Sequence, residues 1–535
     1  MKTIGVVYHI TAEECEIEAI SSDITLEQTV EVPEQLVTSP SIWEEVVGKV
    51  ESIQRLPESP RRFQVVIRFN LKLTGFQIPQ LLNLIYGNIS IKRNIKLMDI
   101  QLPEEYLRHF RGPNFGIPGI RRLLGVYQRP LLATALKPMG ATIDELAAIA
   151  RDFSLGGGDI IKDDHNLIDD GFEQFRKRVV GCHEAVKEAN QRTGRRTLYF
   201  PNVVAPVDQI DRYVEFALHQ GIFGILISPF LVGFDYVRCL AAKYPIILMV
   251  HPSLSGTHFH DKAHGMHPGV LLGKLFRLLG ADASIFPNYG GRFSFTRDEC
   301  HQISEQLRNP LGSLRPAFPV PAGGMRPHNI ASMAKEYGED AIFLIGGALL
   351  GFSGNLRNST EFFMEKISEH FSERLTTPER EPLSACDYLE MGKIPHTPER
   401  SEELSQIIRH LVFEEDYSWQ GRPAAVYKTS TELPFRDVTR FELIGKGGER
   451  SSFDLRYFQI EPGGYTSLEK HLHTHTIICL RGQGLLKLGE RDIPLRSYDI
   501  AYVPPLAVHQ LRNESPDPFG FFCIVDRERD KPMPP

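Results

Sequence analysis

Long apolar runs, cysteine pairs and an excess of positive charge are all missing from this sequence of 535 residues. No apolar run approaches the roughly 18 residues that a membrane-spanning helix needs, so we expect no membrane span. Lys and Arg total 60 against 67 Asp and Glu, and the formal net charge of −7 argues against a nucleic-acid partner. The N-terminal sequence MKTIGVVYHITAEE passes from a short apolar stretch straight into acids, which is not typical of a signal peptide.

The seven cysteines are too few and too scattered for a disulfide framework. Their number is odd and no CxxC motif occurs, so we expect reduced thiols and a cytoplasmic location. Apolar residues make up 42% and charged residues 24% of the chain, which are ordinary values for folded domains. The length predicts three or four domains, or one large barrel with attachments.

Four segments of different character follow one another along the chain. Residues 1–112 mix short alternating stretches with an amphipathic segment, which predicts a small α+β domain. Residues 113–385 alternate apolar runs with helical patterns, and residues 386–410 form a loop-like linker that contains proline. Residues 411–535 consist of short alternating runs separated by Gly and Pro, which predicts an all-β barrel or jelly roll.

The second segment has a regular strand–helix rhythm. Eight short runs rich in Val, Ile, Leu and Phe are separated by helical patterns, several of which end in glycine. The runs are RPLLATALKP, DIIKDDH, TLYFPNV, GILISPF, PIILMVH, ASIFPN, PAFPVPAGG and AIFLIGG. Eight such units in succession predict a (β/α)8 barrel.

Polar residues or glycines follow nearly every one of these predicted strands. In chain order they are Lys137, Lys162, Asp163, Asp164, His165, Asn202, Ser228, His251, Asn288, Gly323, Gly324, Gly346 and Gly347. The carboxyl ends of barrel strands meet at one face, where barrel enzymes carry their active sites, so we expect a catalytic site there. The general polarity of loops explains one or two of these positions, but not two lysines and two histidines at one mouth.

Lys162 is followed directly by Asp163 and Asp164, an unusual charge cluster for a strand end. Burying such charges is unfavourable unless they are paired or bind something. The lysine could form a salt bridge with an acid. It could also add CO2 to become a carbamate, an anionic oxygen ligand for a hard cation such as Mg²⁺.

Several motifs resemble the large subunit of RuBisCO in order and spacing. They are GVYQRPLLATALKP, GGGDIIKDDH, VHPSLSG, VPAGGM and FLIGGALLG, and the similarity extends from near residue 1 to about residue 370. More closely, the chain resembles the RuBisCO-like proteins, the form IV homologues that do not fix CO2. The resemblance implies a ferredoxin-like N-terminal domain, a TIM barrel, and a homodimer in which each subunit completes the other's active site.

The resemblance also assigns roles to individual residues. Lys137 matches the lysine that moves protons at the reacting carbon, and Lys162 matches the lysine that is carbamylated. Asp164 matches a metal carboxylate, and His251 matches a substrate histidine. Asn88, in LIYGNIS, matches an asparagine that reaches the metal and substrate in the partner's site.

Two glycine pairs match the backbone loops that bind a phosphate, for which glycine permits close approach and the N–H groups act as donors. These glycines are Gly323, Gly324, Gly346 and Gly347.

The departures from the family pattern exclude carboxylation. Met139 replaces the second lysine of a Lys-Pro-Lys motif, Pro252 replaces an arginine that binds phosphate, and Ala322 replaces a serine. The segment ASIFPNYGGRF lacks the lysine of the mobile lid that stabilises the carboxylation transition state. We therefore expect no CO2 fixation, and a substrate with one phosphate rather than two.

His165 stands where the family has a glutamate that binds the metal. Imidazole is a poor ligand for Mg²⁺ and suits softer metals better. His165 could ligate a metal, act as a general acid or base, or serve as a hydrogen-bonded structural residue. If it is not a ligand, both the Mg²⁺ and the carbamate on Lys162 are in doubt.

The remaining groups favour forming and collapsing an enolate beside a carbonyl. By resemblance, RuBisCO-like proteins do this as enolases, as isomerases of methylthioribulose phosphate, or on a branched β-keto acid phosphate. The motifs KPMG and IIKDDH are most similar to the last group. The first expectation is therefore a carboxy-lyase, a 3-oxo-isoapionate 4-phosphate decarboxylase, or a transcarboxylase/hydrolase. The alternatives are an isomerase or enolase of methylthio-sugar salvage, and a non-catalytic protein that binds a sugar-acid phosphate.

The C-terminal motifs EPGGYTSLEKHLHTH and VPPLAVHQLRN resemble the two motifs of the cupins. Alternation with period 2 predicts Glu469, His471, His473 and His475 on one face of a strand, with His509 on the facing strand. The resemblance makes Glu469, His471, His475 and His509 ligands and His473 a neighbour, although the family's HxH pattern could instead recruit His473. Such a set suits Fe(II), Mn(II), Ni(II), Zn(II) or Cu(II). An exposed histidine-rich hairpin is the alternative, and the cupin could catalyse a second step or only bind a sugar acid.

Overall fold

The computed structural model describes residues 2–369, 371, 411–427, 433–445, 453–471 and 473–526. The chain divides into two compact units, Met1–Ile394 and Pro395–Pro535. The linker predicted at 386–410 and Cys386 lie outside the described residues. The six cysteines within them are free, and no helix in the described part of the chain is long and apolar enough to cross a membrane.

The N-terminal domain is a mainly antiparallel sheet with helices packed on it. Its strands, in sheet order, are Gly265–Met266, Ile95–Gln101, Thr3–Thr11, Arg62–Asn70 and Lys49–Arg55. The principal helices are Ile17–Glu27, Pro40–Glu45 and Ile78–Tyr86. The order strand, helix, strand, strand, helix, strand is that of the ferredoxin-like fold, as predicted.

One strand of this sheet comes from the barrel. Gly265–Met266 lies parallel to Ile95–Gln101 at the sheet edge, although it follows the fifth barrel strand in sequence. The ammonium group of Lys96 holds the same loop, because it donates to the carbonyl oxygens of Phe259, at 3.1 Å, and Asp261. The loop that leaves the barrel after His251 is therefore tied to the N-terminal domain.

The eight predicted strands form one parallel barrel. They are Leu131–Leu136, Ile160–Asp163, Leu198–Phe200, Gly224–Ile227, Ile247–Val250, Ala283–Pro287, Phe318–Ala322 and Ile342–Leu344. Neighbouring strands pair in parallel around the ring, and the third and fourth meet through a bridge between Asn202 and Leu226. The predicted (β/α)8 barrel is confirmed.

The helices that alternate with the barrel strands follow the predicted rhythm. The main ones are Ile143–Leu155, Gly171–Thr193, Val207–His219, Phe234–Lys243, Gly269–Leu275 (a π-helix that continues as Phe276–Leu278), Arg297–Arg308, Ile330–Tyr337 and Leu356–Ser368. The first begins at a capping box, in which Thr142 and Glu145 each bond the other's backbone N–H.

The barrel interior is solid rather than hollow. Side chains from all eight strands form a buried cluster, among them Leu131, Met249 and Phe318. The helix Gly116–Leu124 precedes the first strand and packs its apolar face, including Ile120, against this cluster. Because the amino ends of the strands are closed in this way, the only end left for a ligand is the carboxyl end.

A buried ion pair lies near the amino end of the second barrel strand. The two guanidinium nitrogens of Arg129 donate to the two carboxylate oxygens of Asp159 at 2.7 and 2.8 Å. The same carboxylate accepts the backbone N–H of Leu132 at 2.8 Å. Both side chains are only 6% exposed, so removing one charge leaves the other buried and uncompensated.

We predict that Asp159→Asn lowers the free energy of unfolding of the first unit by about 3 kcal/mol. The chain has only two tryptophans, Trp43 and Trp419. In a Trp419→Phe background, the fluorescence of Trp43 during urea denaturation reports on the first unit. The matched control is Asp170→Asn, an exposed site that should change stability by less than about 0.5 kcal/mol. Equal effects of the two substitutions would contradict the prediction.

The second unit is an all-β domain in which a long antiparallel sheet curls on itself. The strands that define it are Arg436–Ile444, Phe453–Tyr465, His475–Arg481, Gln483–Leu488, Arg491–Arg496, Ile500–Val503, His509–Arg512 and Phe519–Asp526. Phe453–Tyr465 is central, since it pairs with three other strands. Its inner side chains Phe458 and Ile460 belong to the buried core, whereas Tyr457 packs in a second cluster on the outer face. The predicted cupin-like barrel is confirmed.

Candidate active site and metal centre

A cavity of about 1170 Å³ opens at the carboxyl ends of the barrel strands. Nine of the predicted site residues line it: Lys137, Lys162, Asp164, His165, His251, Gly323, Gly324, Gly346 and Gly347. They come from five different strands or the loops after them. The structure thus brings these side chains and glycines together, while their individual roles remain predictions.

Asn88 does not line this cavity. It lies in the 3-10 turn Asn88–Ile91 of the N-terminal domain, and its amide donates to the carboxylates of Glu27, at 3.0 Å, and Glu31, at 3.2 Å. A role of Asn88 in catalysis therefore requires the active site of a second subunit, as the family resemblance implies.

Lys137 and Asp164 form the central ion pair of the cavity. The Lys137 ammonium lies 2.9 Å from one carboxylate oxygen of Asp164, and His165 Nδ1 lies 3.4 Å from the other. Burial alone would raise the pKa of Asp164, but hydrogen bonds from Lys137 and from the Asn166 N–H lower it below its usual value. Asp164 is therefore an anion that pairs with Lys137 in the cavity.

Lys162 is a buried amine. Its side chain is 2% exposed, and its Nζ donates to the carbonyl oxygen of Asp163 at 3.0 Å. Burial lowers the pKa of Lys162 to about 8, with the charge of Asp164 opposing and that of Lys137 adding to this effect. A substantial fraction of Lys162 is therefore neutral near pH 8, and only a neutral amine can add CO2.

The two cavity histidines stack on each other. Their ring centroids are 4.0 Å apart with an interplanar angle of 15°. Burial lowers the pKa of both, that of His251 to about 2, and the positive charge of Lys162 adds to the effect. Both imidazoles are therefore neutral at physiological pH, and His251 Nδ1 lies 2.8 Å from the Ser253 hydroxyl. A neutral imidazole can accept a proton from a substrate.

Asp163, the first acid after Lys162, is structural. It is fully buried, pairs with Arg178, and accepts hydrogen bonds from the Tyr199 hydroxyl at 2.8 Å and the Asn202 N–H at 2.7 Å. Burial raises its pKa, against the lowering effect of Arg178. Alternation along the strand explains the difference, because Asp163 points outward to the helices while its neighbours reach the cavity.

Three of the four glycines predicted to bind phosphate face open space, whereas Gly324 packs against the backbone of Gly291. A Cβ atom built on Gly323, Gly346 or Gly347 would meet nothing within 4 Å, so these positions border the cavity. Gly323 and Gly324 have φ values of +79° and +69°, which side chains rarely adopt. The backbone at these two turns is therefore accessible to an anion without interference from side chains.

Two arginines at the cavity were not predicted. Arg292 and Arg326 line it from the loops after the sixth and seventh strands, and both are exposed. The charge of Arg292 contributes to lowering the pKa of His165, so the two groups are close. Arg292 could have been predicted, because it lies in NYGGRF directly after the sixth strand. This segment was considered only for the lysine that it lacks.

The cavity offers a poor set of ligands for Mg²⁺ unless Lys162 is modified. Of the described residues that line it, Asp164 alone carries a carboxylate, whereas Mg²⁺ requires several oxygen ligands. His165 adds a nitrogen in place of an oxygen. A carbamate on Lys162 would supply the missing anionic oxygens. The prediction of Mg²⁺ therefore depends on the prediction of the carbamate.

The cupin unit contains a tight histidine cluster. One ring nitrogen from each of His471, His475 and His509 lies within 4.8 Å of the others, the spacing of ligands around one metal ion. It is the one such group of His, Cys, Asp or Glu within the described residues.

Hydrogen bonds orient two of these rings. His471 Nδ1 lies 2.7 Å from the carbonyl oxygen of His473, and His509 Nδ1 lies 2.9 Å from that of Ala507. A carbonyl accepts only, so each Nδ1 carries the proton and each Nε2 presents a lone pair. The donor set therefore fits a divalent transition metal, which imidazole nitrogens bind well.

The predicted strand from Glu469 to His475 is wrong. Of residues 466–474, those that the structure describes are irregular apart from isolated bridge positions at Glu469, which pairs with His509, and at Lys470, and the strand begins at His475. The bond from His471 to the carbonyl of His473 requires a tight bend, which an extended strand excludes. The bend turns His471 and His473 inward, with their rings stacked 3.7 Å apart.

Glu469 stands outside the three-histidine group, although it lines the same cavity. Its carboxylate accepts the hydroxyl hydrogen of Ser467. His473 Nε2 lies 3.2 Å from His475 Nε2, so His473 contacts a ligand of the cluster. Glu469 as a fourth ligand remains a prediction.

Two family models match the chain. Residues 116–357 match the ribulose bisphosphate carboxylase large chain, catalytic domain, and residues 456–525 match the cupin domain. The ribulose bisphosphate carboxylase-like protein 1 of Rhodopseudomonas palustris is 38% identical over 368 residues, 69% of this chain and 98% of that protein. This chain belongs to the RuBisCO-like proteins. It carries a cupin domain at its C-terminal end, as the motifs predict.

Other RuBisCO-like relatives are named enzymes. The 5-methylthioribulose-1-phosphate isomerase of Rhodospirillum rubrum is 38% identical over 68% of this chain and 95% of its own length. A 2,3-diketo-5-methylthiopentyl-1-phosphate enolase of Bacillus cereus is 31% identical over 60% of this chain and 77% of its own. The crystal structure of the RuBisCO-like protein from Rhodopseudomonas palustris superposes with a TM-score of 0.63 at 35% identity, covering 70% of this chain and 99% of that one.

We predict that His471→Ala lowers the affinity of the cupin unit for Zn²⁺ at least tenfold, because one of three ligands is lost. Glu469→Gln should have a smaller effect, since its carboxylate stands outside the cluster. The measurement is bound zinc per chain by atomic emission after equilibrium dialysis. The control is His301→Ala, which removes an exposed histidine of the barrel unit. Equal zinc binding by His471→Ala and His301→Ala would refute the assignment.

Proposed function

We propose that the barrel is an isomerase that enolises a phosphorylated ketose, with 5-methylthioribulose 1-phosphate as the first substrate to test. The observation that carries this proposal is the arrangement of Lys137, Asp164 and His165, an ammonium, a carboxylate and a neutral imidazole at one opening. The isomerase of Rhodospirillum rubrum, at 38% identity, adds support. Enolisation needs a base for the carbon-bound proton and a positive charge opposite the developing enolate oxygen.

His165 is the base in this mechanism. Its neutral imidazole removes the proton from the carbon beside the carbonyl. The Lys137 ammonium, fixed by Asp164, donates a hydrogen bond to the enolate oxygen. The proton of the adjacent hydroxyl moves to that oxygen while Lys137 protonates the former carbonyl carbon, so the adjacent oxygen becomes the new carbonyl. His165 then gives up its proton to solvent, and Lys137 takes one from solvent. His251 stacks on His165 and holds its ring in place.

The phosphate and the carbonyl oxygen of the substrate would contact different groups of the cavity. The glycine pairs Gly323–Gly324 and Gly346–Gly347 would hold the single phosphate through backbone N–H groups. Arg292 and Arg326 add positive charge at the rim. When bound, Mg²⁺ would polarise the carbonyl oxygen, and Asp164 with a carbamate on Lys162 would hold it.

A homodimer with shared active sites is part of this proposal. Asn88 lies on the N-terminal domain, away from its own chain's cavity. In a head-to-tail dimer the partner's Asn88 would complete the site. A solved structure of RuBisCO from Pyrococcus horikoshii, which is 26% identical to this chain with a TM-score of 0.64, is an octamer.

Isomerisation is favoured over the carboxy-lyase suggested by the motifs KPMG and IIKDDH. Both reactions pass through an enolate and both use Lys137 as a proton donor, so the cavity alone fits either. The named relatives are an isomerase and enolases, and these reactions keep every carbon of the substrate.

We predict that Lys137→Met lowers kcat by about 100- to 10,000-fold, the usual contribution of a positioned acid or base. Turnover of 5-methylthioribulose 1-phosphate in D2O is followed by NMR, where wild type should release an isomer carrying deuterium. The control Lys177→Met changes an exposed lysine of a barrel helix and should leave kcat unchanged.

A parallel incubation tests the carboxy-lyase. The substrate is 3-oxo-isoapionate 4-phosphate with carbon-13 in its carboxylate. If label is released as bicarbonate and no isomer forms from the ketose phosphate, the barrel is a decarboxylase and the proposed isomerase activity is wrong. Label retained in a released acid would indicate transcarboxylation and hydrolysis.

We predict a carbamate on Lys162 under carbon-13-labelled CO2. At fixed CO2 pressure its NMR signal should fall by up to about a hundredfold for each pH unit below 8, because forming the carbamate anion from the ammonium releases two protons. The signal should vanish in Lys162→Met and persist in Lys177→Met. Absence of the signal in wild type would show that Lys162 acts unmodified, and the magnesium prediction would fail with it.

A further inference from the structure

The cupin cavity is small and partly open to solvent. Its volume is about 90 Å³, room for roughly six water-sized groups. His475 and His509 of the metal cluster line it together with Glu469, Arg440 and Arg456. The cavity thus places a metal-binding cluster and two guanidinium groups around the same small space.

Arg456 is the unusual member of this set. It lies on the inner face of the strand Phe453–Tyr465 and is 9% exposed. Its guanidinium stacks 5.2 Å from the Phe458 ring, and its one hydrogen bond is a 3.6 Å contact with Cys523 Sγ. Nε has no hydrogen-bond partner, and Arg456 forms no ion pair with any acid of the described residues. A buried charge without a partner is costly unless a ligand supplies one.

The acid opposite Arg456 in the sheet is already engaged. Glu442 lies opposite Arg456 on the neighbouring strand, but its carboxylate is 3.1 Å from Arg440. Arg440 also donates to the Tyr427 carbonyl oxygen at 2.9 Å. Arg440 is therefore neutralised within the protein, while Arg456 is not.

Arg456 also lies within electrostatic reach of the metal cluster. It lines the same cavity as two of the three histidines, His475 and His509. A divalent metal on the histidines would add to the positive charge. An anion with two oxygens would offset both charges, one oxygen facing the metal and the other the guanidinium.

We propose that the cupin cavity binds a small oxyanion, a carboxylate or phosphate group, between a metal held by His471, His475 and His509 and the guanidinium of Arg456. The cavity volume limits this ligand to a few atoms, or to the anionic end of a larger molecule. The proposal does not depend on the reaction of the barrel.

The test uses the full chain loaded with Co²⁺, whose visible spectrum reports on its ligands. Acetate and inorganic phosphate are titrated separately, so the two sources of an oxyanion are distinguished. A barrel-bound phosphate would not change the cupin signal, which is identified as the part of the spectrum lost in His471→Ala. Co²⁺ content and circular dichroism show that each variant is folded and loaded.

We expect at least one of the two anions to change the spectrum of the wild-type protein. Arg456→Gln should raise its dissociation constant at least tenfold, and Arg456→Lys, which keeps the charge but not the planar fork, should give an intermediate value. Arg491→Gln, an exposed site on the same domain, should match wild type. If Arg456→Gln does not bind Co²⁺, the dissociation constants of wild type and Arg456→Lys are compared instead. No spectral response to either anion, or equal affinity in the folded Arg456 variants and wild type, overturns the proposal.

Discussion

The chemistry of the barrel depends on keeping a lysine amine inside a protein. Lys162 is 2% exposed at the end of a barrel strand, where its charge is unfavourable. Asp164 balances this charge in part, and Asp164 in turn holds Lys137 at 2.9 Å. The same burial keeps both stacked histidines neutral. Burial at this one site therefore lowers the pKa of three groups, Lys162, His165 and His251.

The sequence predicted the barrel well, because its signals are local and repeated. Each apolar run is short enough to be a strand, each ends in a polar group or glycine, and parallel strands bring those ends together. Nine predicted residues consequently line one cavity. The resemblance singled out Asp164 and not Asp163, but the partners of Asp163, Arg178 and Tyr199, could not be predicted because they depend on the three-dimensional fold.

The cupin domain shows a different limit of prediction from sequence. Its histidines were identified from their motif, but the strand assigned to them was wrong because a side-chain bond bends the backbone at His471. Arg456 carries no motif at all. Its importance arises only because Arg440 takes up the one facing acid, which is a property of strand register rather than of sequence spacing.

The edge strand Gly265–Met266 joins the two domains of the first unit in a further way. The loop between His251 and this strand is anchored at one end in the barrel wall and at the other in the sheet of the N-terminal domain. A rotation of the N-terminal domain must therefore pull on the segment that carries Ser253, the hydrogen-bond partner of His251. In the proposed homodimer, a fixed orientation of that domain would act as a mechanical brace on His251.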